Sequence, residues 1–230
     1  MSPDISALLL NIAIIAPPII LAITLHEASH GFVAWKLGDD TAYLLGRVTF
    51  NPLRHIDPFG TILLPALLYL STGFVFGYAK PVPVNYRRLR NPRRDMALVA
   101  AAGPGINIAL AFTSALALHL VPADASDLIR QMLTVSIFAN VILALFNMLP
   151  LPPLDGGRVA VGLLPYPLSL YLARLERYGI FILLAAIFLL PWLGRQIGVN
   201  LDIIGWILHP LVEYVGDLIY RVTGSITGGL

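Results

Sequence analysis

Apolar residues in this chain come in long unbroken runs, not in the alternating or three-to-four-residue patterns of soluble elements. Six runs dominate it, at about 5–37, 60–78, 95–121, 127–149, 178–193 and 201–220. A helix needs about 20 apolar residues to cross the hydrocarbon of a bilayer, so these runs read as membrane helices. The first contains Pro17-Pro18, which predicts a kink. The third contains Gly103-Pro104-Gly105, where a backbone can approach a neighbouring helix closely. The fifth is short and needs its flanks to span. The longest polar stretches between them, 38–59 and 80–94, are loop-sized, and no internal repeat or low-complexity tract is present. The pattern predicts an all-α polytopic membrane protein of about five to six transmembrane helices, forming a single membrane-embedded domain over 1–230.

Composition sharpens this reading. Hydrophobic residues make up 57% of the chain and charged residues 12%, with a mean hydropathy of +0.80. Soluble domains carry about 25% charged residues, so the polar surface such a domain needs is missing. The formal net charge of +2 gives no footprint for nucleic acid. There is no cysteine, which excludes disulfides, thiolate metal sites and a Cys nucleophile. Any metal must be held by His, Asp or Glu. Met1 to Ser6 carry no Lys or Arg, unlike the positive start of a secretory signal, so the first run is expected to be a retained membrane helix.

Charge placement gives an expected orientation. Arg47 and Arg54 lie between the first two runs, Lys80, Arg87, Arg88, Arg90, Arg93 and Arg94 between the second and third, and Arg174 and Arg177 before the fifth. The positive-inside rule puts all three segments in the cytoplasm, and the acidic segment Asp124 to Asp127 outside. Two cytoplasmic loops cannot flank a single crossing. The run 60–78 is therefore expected to dip in and return, with Pro65 and Ser71-Thr72-Gly73 as breaks; the alternative is an ordinary sixth span. Re-entrant backbone is tolerated where protein or trapped water satisfies it.

The sharpest chemistry is His26-Glu27-Ala28-Ser29-His30, inside the first run. Positions i and i+4 share one helical face, so two imidazoles can meet one Zn²⁺. The Glu beside the first His can reach a water without taking a coordination position, the H-E-x-x-H arrangement. In a soluble helix the same pattern can be a solvated face. Three ionisable groups in an apolar helix are costly and point to a polar cavity with a partner. A catalytic zinc site usually takes three protein ligands. The other histidines are His55, His119 and His209, and the strongest acidic candidate is Asp155, in Asn147-Met148-Leu149-Pro150-Leu151-Pro152-Pro153-Leu154-Asp155-Gly156-Gly157-Arg158. Pro and Gly there break the helix and free backbone groups around a carboxylate that needs a cation.

HEASH in an early apolar segment and NMLPLPPLDGGR in a later one resemble the site-2 protease family of intramembrane zinc metalloproteases. Residues 44–52, 55–60 and 79–85 also resemble stretches of its small prokaryotic members, and the similarity covers about 19–160, the catalytic core, with hydrophobic helices at about 178–220 beyond it. Neither a PDZ insertion nor a CBS tail is legible. The resemblance implies one zinc held by His26, His30 and Asp155, Glu27 as the catalytic base, and Asn147 as a residue that helps hold substrate or the oxyanion; a helix–helix hydrogen bond is the plain alternative for Asn147. It implies peptide hydrolysis in or near transmembrane segments of membrane-protein substrates, in the lipid bilayer of a prokaryotic cell membrane, with the active site toward the cytoplasm. The competing readings are a catalytically silent or metal-handling membrane protein on the same fold.

A helical substrate must unwind before cleavage. The segment 43–50 is rich in Tyr, Leu, Val and Thr and is expected to form a short strand, a small β element near the cytoplasmic face to which substrate adds, with 81–85 beside it. The alternative is an ordinary loop hairpin. Among weaker signals, His55 and Asp57 either support the site from behind or satisfy their own turn. His209 and Glu213, four apart, either bind metal or form a hydrogen-bonded pair. Asn107 is a candidate helix cross-link near the site, and Arg87 to Arg94 an orientation determinant facing anionic headgroups.

Overall fold

The computed structural model describes residues 5–64, 67, 77, 79–122 and 126–224. Among them are α1 (Ile5–Lys36), α2 (Pro92–Leu120), α3 (Asp127–Asn147), the short α4 (Asp155–Leu163), α5 (Leu168–Ile197, with a π-helical turn at Ala185–Leu189) and α6 (Ile203–Thr223). All but α4 are long and apolar enough to cross a membrane. The chain is an integral membrane protein with five candidate transmembrane helices. Helix α1 stays helical through Pro17-Pro18.

The core is α1, α2 and α3. Helix α2 turns toward its neighbours a face that repeats every fourth residue: Val99, Gly103, Asn107, Ala111 and Ala115, all buried. Four of the five are small or β-branched, so the backbones come close and van der Waals contact replaces the hydrophobic drive that lipid does not supply. Asn107 is the polar exception, and it lies at the level of the site. Ala111 and Ala115 meet Ile137 and Val141 of α3 and Ile219 of α6 in one cluster. A second cluster joins Leu149 and Leu154 to Leu183 of α5 and to Ile204 and Leu208 of α6.

Between Asn147 and Asp155 the chain folds back on itself. A Cβ on Gly156 would strike the Met148 carbonyl, one on Gly157 the Pro152 nitrogen, and one on Gly179 of α5 the Pro152 carbonyl. Three glycines therefore let this proline-rich break pack against the first turn of α4 and against α5. The break ends α3 and starts α4 with Asp155 in its first turn.

The loop after α1 returns to the start of α2. Arg90 N–H donates to the Leu37 carbonyl (3.1 Å), and Lys80 N–H donates to the His55 carbonyl (2.9 Å). His55 and Lys80, on either side of the run 60–78, are thus neighbours. Its re-entrant course, with Pro65 and Ser71 to Gly73, falls outside the described residues, as does Asp124. Asp57 caps the π-helical turn Pro58–Leu63, accepting from Phe59 and Gly60 N–H, so it serves its own turn.

The strand expected at 43–50 does not form. Thr41–Leu44 is a single helical turn and Gly46, at φ 64°, reverses the chain. Tertiary contacts override the β propensity of these residues. The buried Asp39 carboxylate accepts from Thr41 N–H and, at 2.6 Å, from Asn85 N–H. Ala42 packs against Gly31 of α1, and Tyr43 stacks on Trp35 at 4.3 Å. Residues 81–85 form no regular element, and no strand occurs among the described residues.

Candidate metal centre

Helical spacing puts His26 and His30 on one face of α1, with ring centroids 4.7 Å apart. The break before α4 brings Asp155 to the same point. Its Oδ2 lies 3.1 Å from His26 Nε2 and 3.4 Å from His30 Nε2, and the three residues, all buried, offer ligand atoms within 4.8 Å of one another.

The far side of each imidazole decides what faces inward. His26 Nδ1 is 2.6 Å from Asn107 Oδ1, and His30 Nδ1 is 2.7 Å from the Val99 carbonyl. Both partners are acceptors, so both Nδ1 atoms carry the proton, and in the neutral imidazoles both Nε2 atoms present a lone pair toward the buried Asp155 Oδ2, which has no hydrogen-bond partner among the described residues. Three acceptors converging with nothing to share fit a cation, and two neutral imidazoles with one carboxylate match the donor set of a catalytic zinc site. Space is left for it. A Cβ on Gly103 would come within 2.5 Å of His30 Nε2 and 2.6 Å of His26 Nε2.

The profile of Peptidase family M50 matches residues 122–190, which include α3, the break, Asp155 and α4. A Bacillus subtilis (strain 168) protein, "Putative zinc metalloprotease YwhC", is 42% identical over 215 residues, covering 90% of each chain. The chain belongs to peptidase family M50. Similarity extends to "Putative zinc metalloprotease Rip2" of Mycobacterium tuberculosis, 30% identical over 137 residues that cover 60% of this chain and 52% of that one. The Mycolicibacterium smegmatis Rip2 is 29% identical over 180 residues, covering 76% and 66%. No solved structure matches the chain. The M50, or site-2 protease, family is the one the HEASH and LDGG motifs resemble, and the molecule is a membrane zinc metalloprotease with His26, His30 and Asp155 as its candidate metal site.

In this M50 protein Glu27 does not enter the ligand cluster. Its Oε2 accepts the Val82 N–H at 2.8 Å, from the segment between Lys80 and Asn85. Arg47, buried, donates from Nη2 to the Lys80 carbonyl at 2.7 Å. Burial lowers the Arg47 pKa, against the favourable charge of Glu27. Burial likewise lowers that of His55, whose Nε2 meets the Thr49 carbonyl. The Asn147 amide donates to the Leu143 carbonyl (2.9 Å) in its own helix. His209 and Glu213 form an exposed pair at 3.2 Å, far from burial.

Motif reading alone missed Asn140, which is fully buried and donates to the Ser136 carbonyl while accepting from Asn107. An amide in the middle of an apolar helix was the available signal. The roles of the Val99 carbonyl and of Gly103 had no comparable signature.

Proposed function

We propose that this M50 protease hydrolyses peptide bonds in or at the edge of transmembrane segments of other membrane proteins. The observation that carries the reading is the depth of the site. His30 lies six positions and His26 ten positions before Lys36, in a helix apolar enough to span. At about 1.5 Å per residue the ligands lie about 9 and 15 Å in from the helix end, a level at which a membrane-spanning segment, rather than a soluble peptide, is the natural neighbour. The whole chain then acts as one protease domain, with about 19–160 as its catalytic part.

His26 and His30, through Nε2, and Asp155, through Oδ2, would hold the zinc. When bound, zinc supplies a Lewis acid that polarises the scissile carbonyl and makes water a nucleophile near neutral pH. Glu27, beside His26 but outside the ligand set, takes the proton of the attacking water and returns it to the leaving nitrogen as the C–N bond breaks. Asn107 and the Val99 carbonyl hold the two imidazoles in the tautomer that leaves Nε2 free. Asn147 sits at the last turn of α3, beside the break. A role in holding the oxyanion requires its amide to leave the Leu143 carbonyl.

The cytoplasmic side is the proposed side of entry. Arg47, Arg54, Lys80, Arg87, Arg88 and Arg90 belong to the segment joining α1 to α2, whose two ends meet at Leu37 and Arg90, and Arg93 and Arg94 to the first turn of α2; an excess of Lys and Arg marks a cytoplasmic face.

The test compares the purified parent with Glu27→Gln on a single-span membrane substrate, with bound zinc measured in both. Chelator-sensitive cleavage that disappears in Glu27→Gln while about one zinc per chain stays bound is the expected result. Cleavage of soluble peptides with none of any membrane-spanning substrate would defeat the intramembrane reading. Cleavage that persists in Glu27→Gln would remove Glu27 as the base.

A further inference from the structure

We propose that Arg47 is a positioning residue for peptide hydrolysis: it holds the Lys80 carbonyl, and so seats the 80–82 strap where the Val82 amide hydrogen fixes the Glu27 carboxylate. The proposal rests on the reading of Glu27 as the base.

The strap is fastened along its length. Lys80 N–H donates to the His55 carbonyl, and the Lys80 carbonyl accepts from Arg47 Nη2, which also approaches the Pro81 carbonyl at 3.5 Å. Val82 N–H donates to Glu27 Oε2, and Asn85 N–H to Asp39 Oδ2. Val82 is buried, and with Val48 and Ala42 it faces Gly31, the residue after His30, at distances of 3.0–3.1 Å from a would-be Cβ. The strap therefore lies directly on the turn of α1 that carries the site.

Two features argue that holding Glu27 is its task. Pro81 and Pro83 remove every second backbone donor from the strap, leaving Lys80, Val82 and Val84 to supply N–H groups. Proline cannot donate to a strand ladder, so this segment is poorly suited to pair with a substrate strand. The donor that remains at the centre is the one that meets Glu27. Arg47, for its part, is 7% exposed, and no carboxylate forms an ion pair with it among the described residues. Its Nε has no hydrogen-bond partner among the described residues. A guanidinium buried on so few contacts is costly, and the contacts it keeps are strap carbonyls, with Glu27 close enough to favour its charge.

The experiment uses Arg47→Gln, Val82→Pro and the double variant in the full-length zinc-loaded protein. Hydrogen exchange of the 80–85 segment, which needs no substrate, reads the strap directly. Faster exchange at Val82 in Arg47→Gln, with bound zinc unchanged, is expected; unchanged exchange overturns the proposal. Cleavage reads the consequence, on a single-span substrate or, if that is refused, on an unstructured peptide, so that failure of the membrane-substrate reading is seen separately. Each single variant should lower kcat about 10- to 100-fold, the scale of a misplaced catalytic group, with little change in KM. Because the two residues act in series, the double variant should lose no more than the worse single. Losses that multiply, or a kcat that stays at the parent value, overturn it.

Discussion

His26 donates from Nδ1 to Asn107 Oδ1 at 2.6 Å, and Asn107 can offer only that oxygen. Its amide nitrogen is engaged on the other side, with the Ala22 carbonyl at 3.2 Å and Asn140 Oδ1 at 2.7 Å. Asn140 is anchored in turn by the Ser136 carbonyl at 2.8 Å. The tautomer of a ligand on α1 is thus set by an amide on α2, whose orientation is set by an amide on α3. An Asn at this place works as a fixed acceptor because both of its donors are already used.

The first expectation concerns that relay. Asn107→Ala removes the acceptor for His26 and lets the ring turn or change tautomer. Zinc affinity should fall about 10- to 100-fold, the usual cost of losing an outer partner of a metal-bound His, as measured by competition with a chromophoric chelator. Asn140→Ala should act in the same direction and less strongly, since it only frees Asn107. An unchanged affinity in both would mean that the relay serves helix packing alone.

Gly103 and Gly105 give a matched pair on one helix. Gly103→Ala places a methyl within 2.5–2.6 Å of both ligand nitrogens, whereas a Cβ at Gly105 meets nothing within 4 Å. Gly103→Ala should therefore lose most of its zinc and its cleavage activity. Gly105→Ala should keep both and melt no lower, because Ala favours the helix over Gly by up to about 1 kcal/mol. Zinc analysis and thermal melting of the two detergent-purified variants provide the check.

Asp155→Asn separates metal loss from fold loss. With zinc stripped, the parent leaves Asp155 Oδ2 facing two Nε2 acceptors at 3.1 and 3.4 Å. An amide in the same place supplies N–H donors to those nitrogens, and a satisfied buried group is worth about 1–3 kcal/mol over an unsatisfied one. The variant should bind no zinc and cleave nothing, yet melt at or above the chelator-treated parent. A much lower melting temperature would show that the carboxylate holds the break together independently of metal.

The sequence by itself determined what depends on local spacing and on solvent. Long apolar runs specify membrane helices because their backbone must satisfy itself in hydrocarbon, and all five candidate spans fall on runs visible in the chain. The i, i+4 pair His26 and His30 converges in any helix, and an acidic residue among Pro and Gly pointed to Asp155. The tertiary structure alone decided what turned these groups into a site. Neighbouring helices supplied the acceptors behind each imidazole, Asn107 and the Val99 carbonyl, which lie 81 and 69 residues away from their partners. Gly103 is a gap only because α1 lies against it. The segment 43–50 shows the converse: its side chains favour a strand, but its first two residues belong to the helical turn Thr41–Leu44, which Asp39, Gly31 and Trp35 hold through Thr41, Ala42 and Tyr43. Asn147 matched its motif while its amide bonded to Leu143. Hydrogen-bond partners are chosen by proximity in space, and a chain folded over such separations does not reveal them in order along its length.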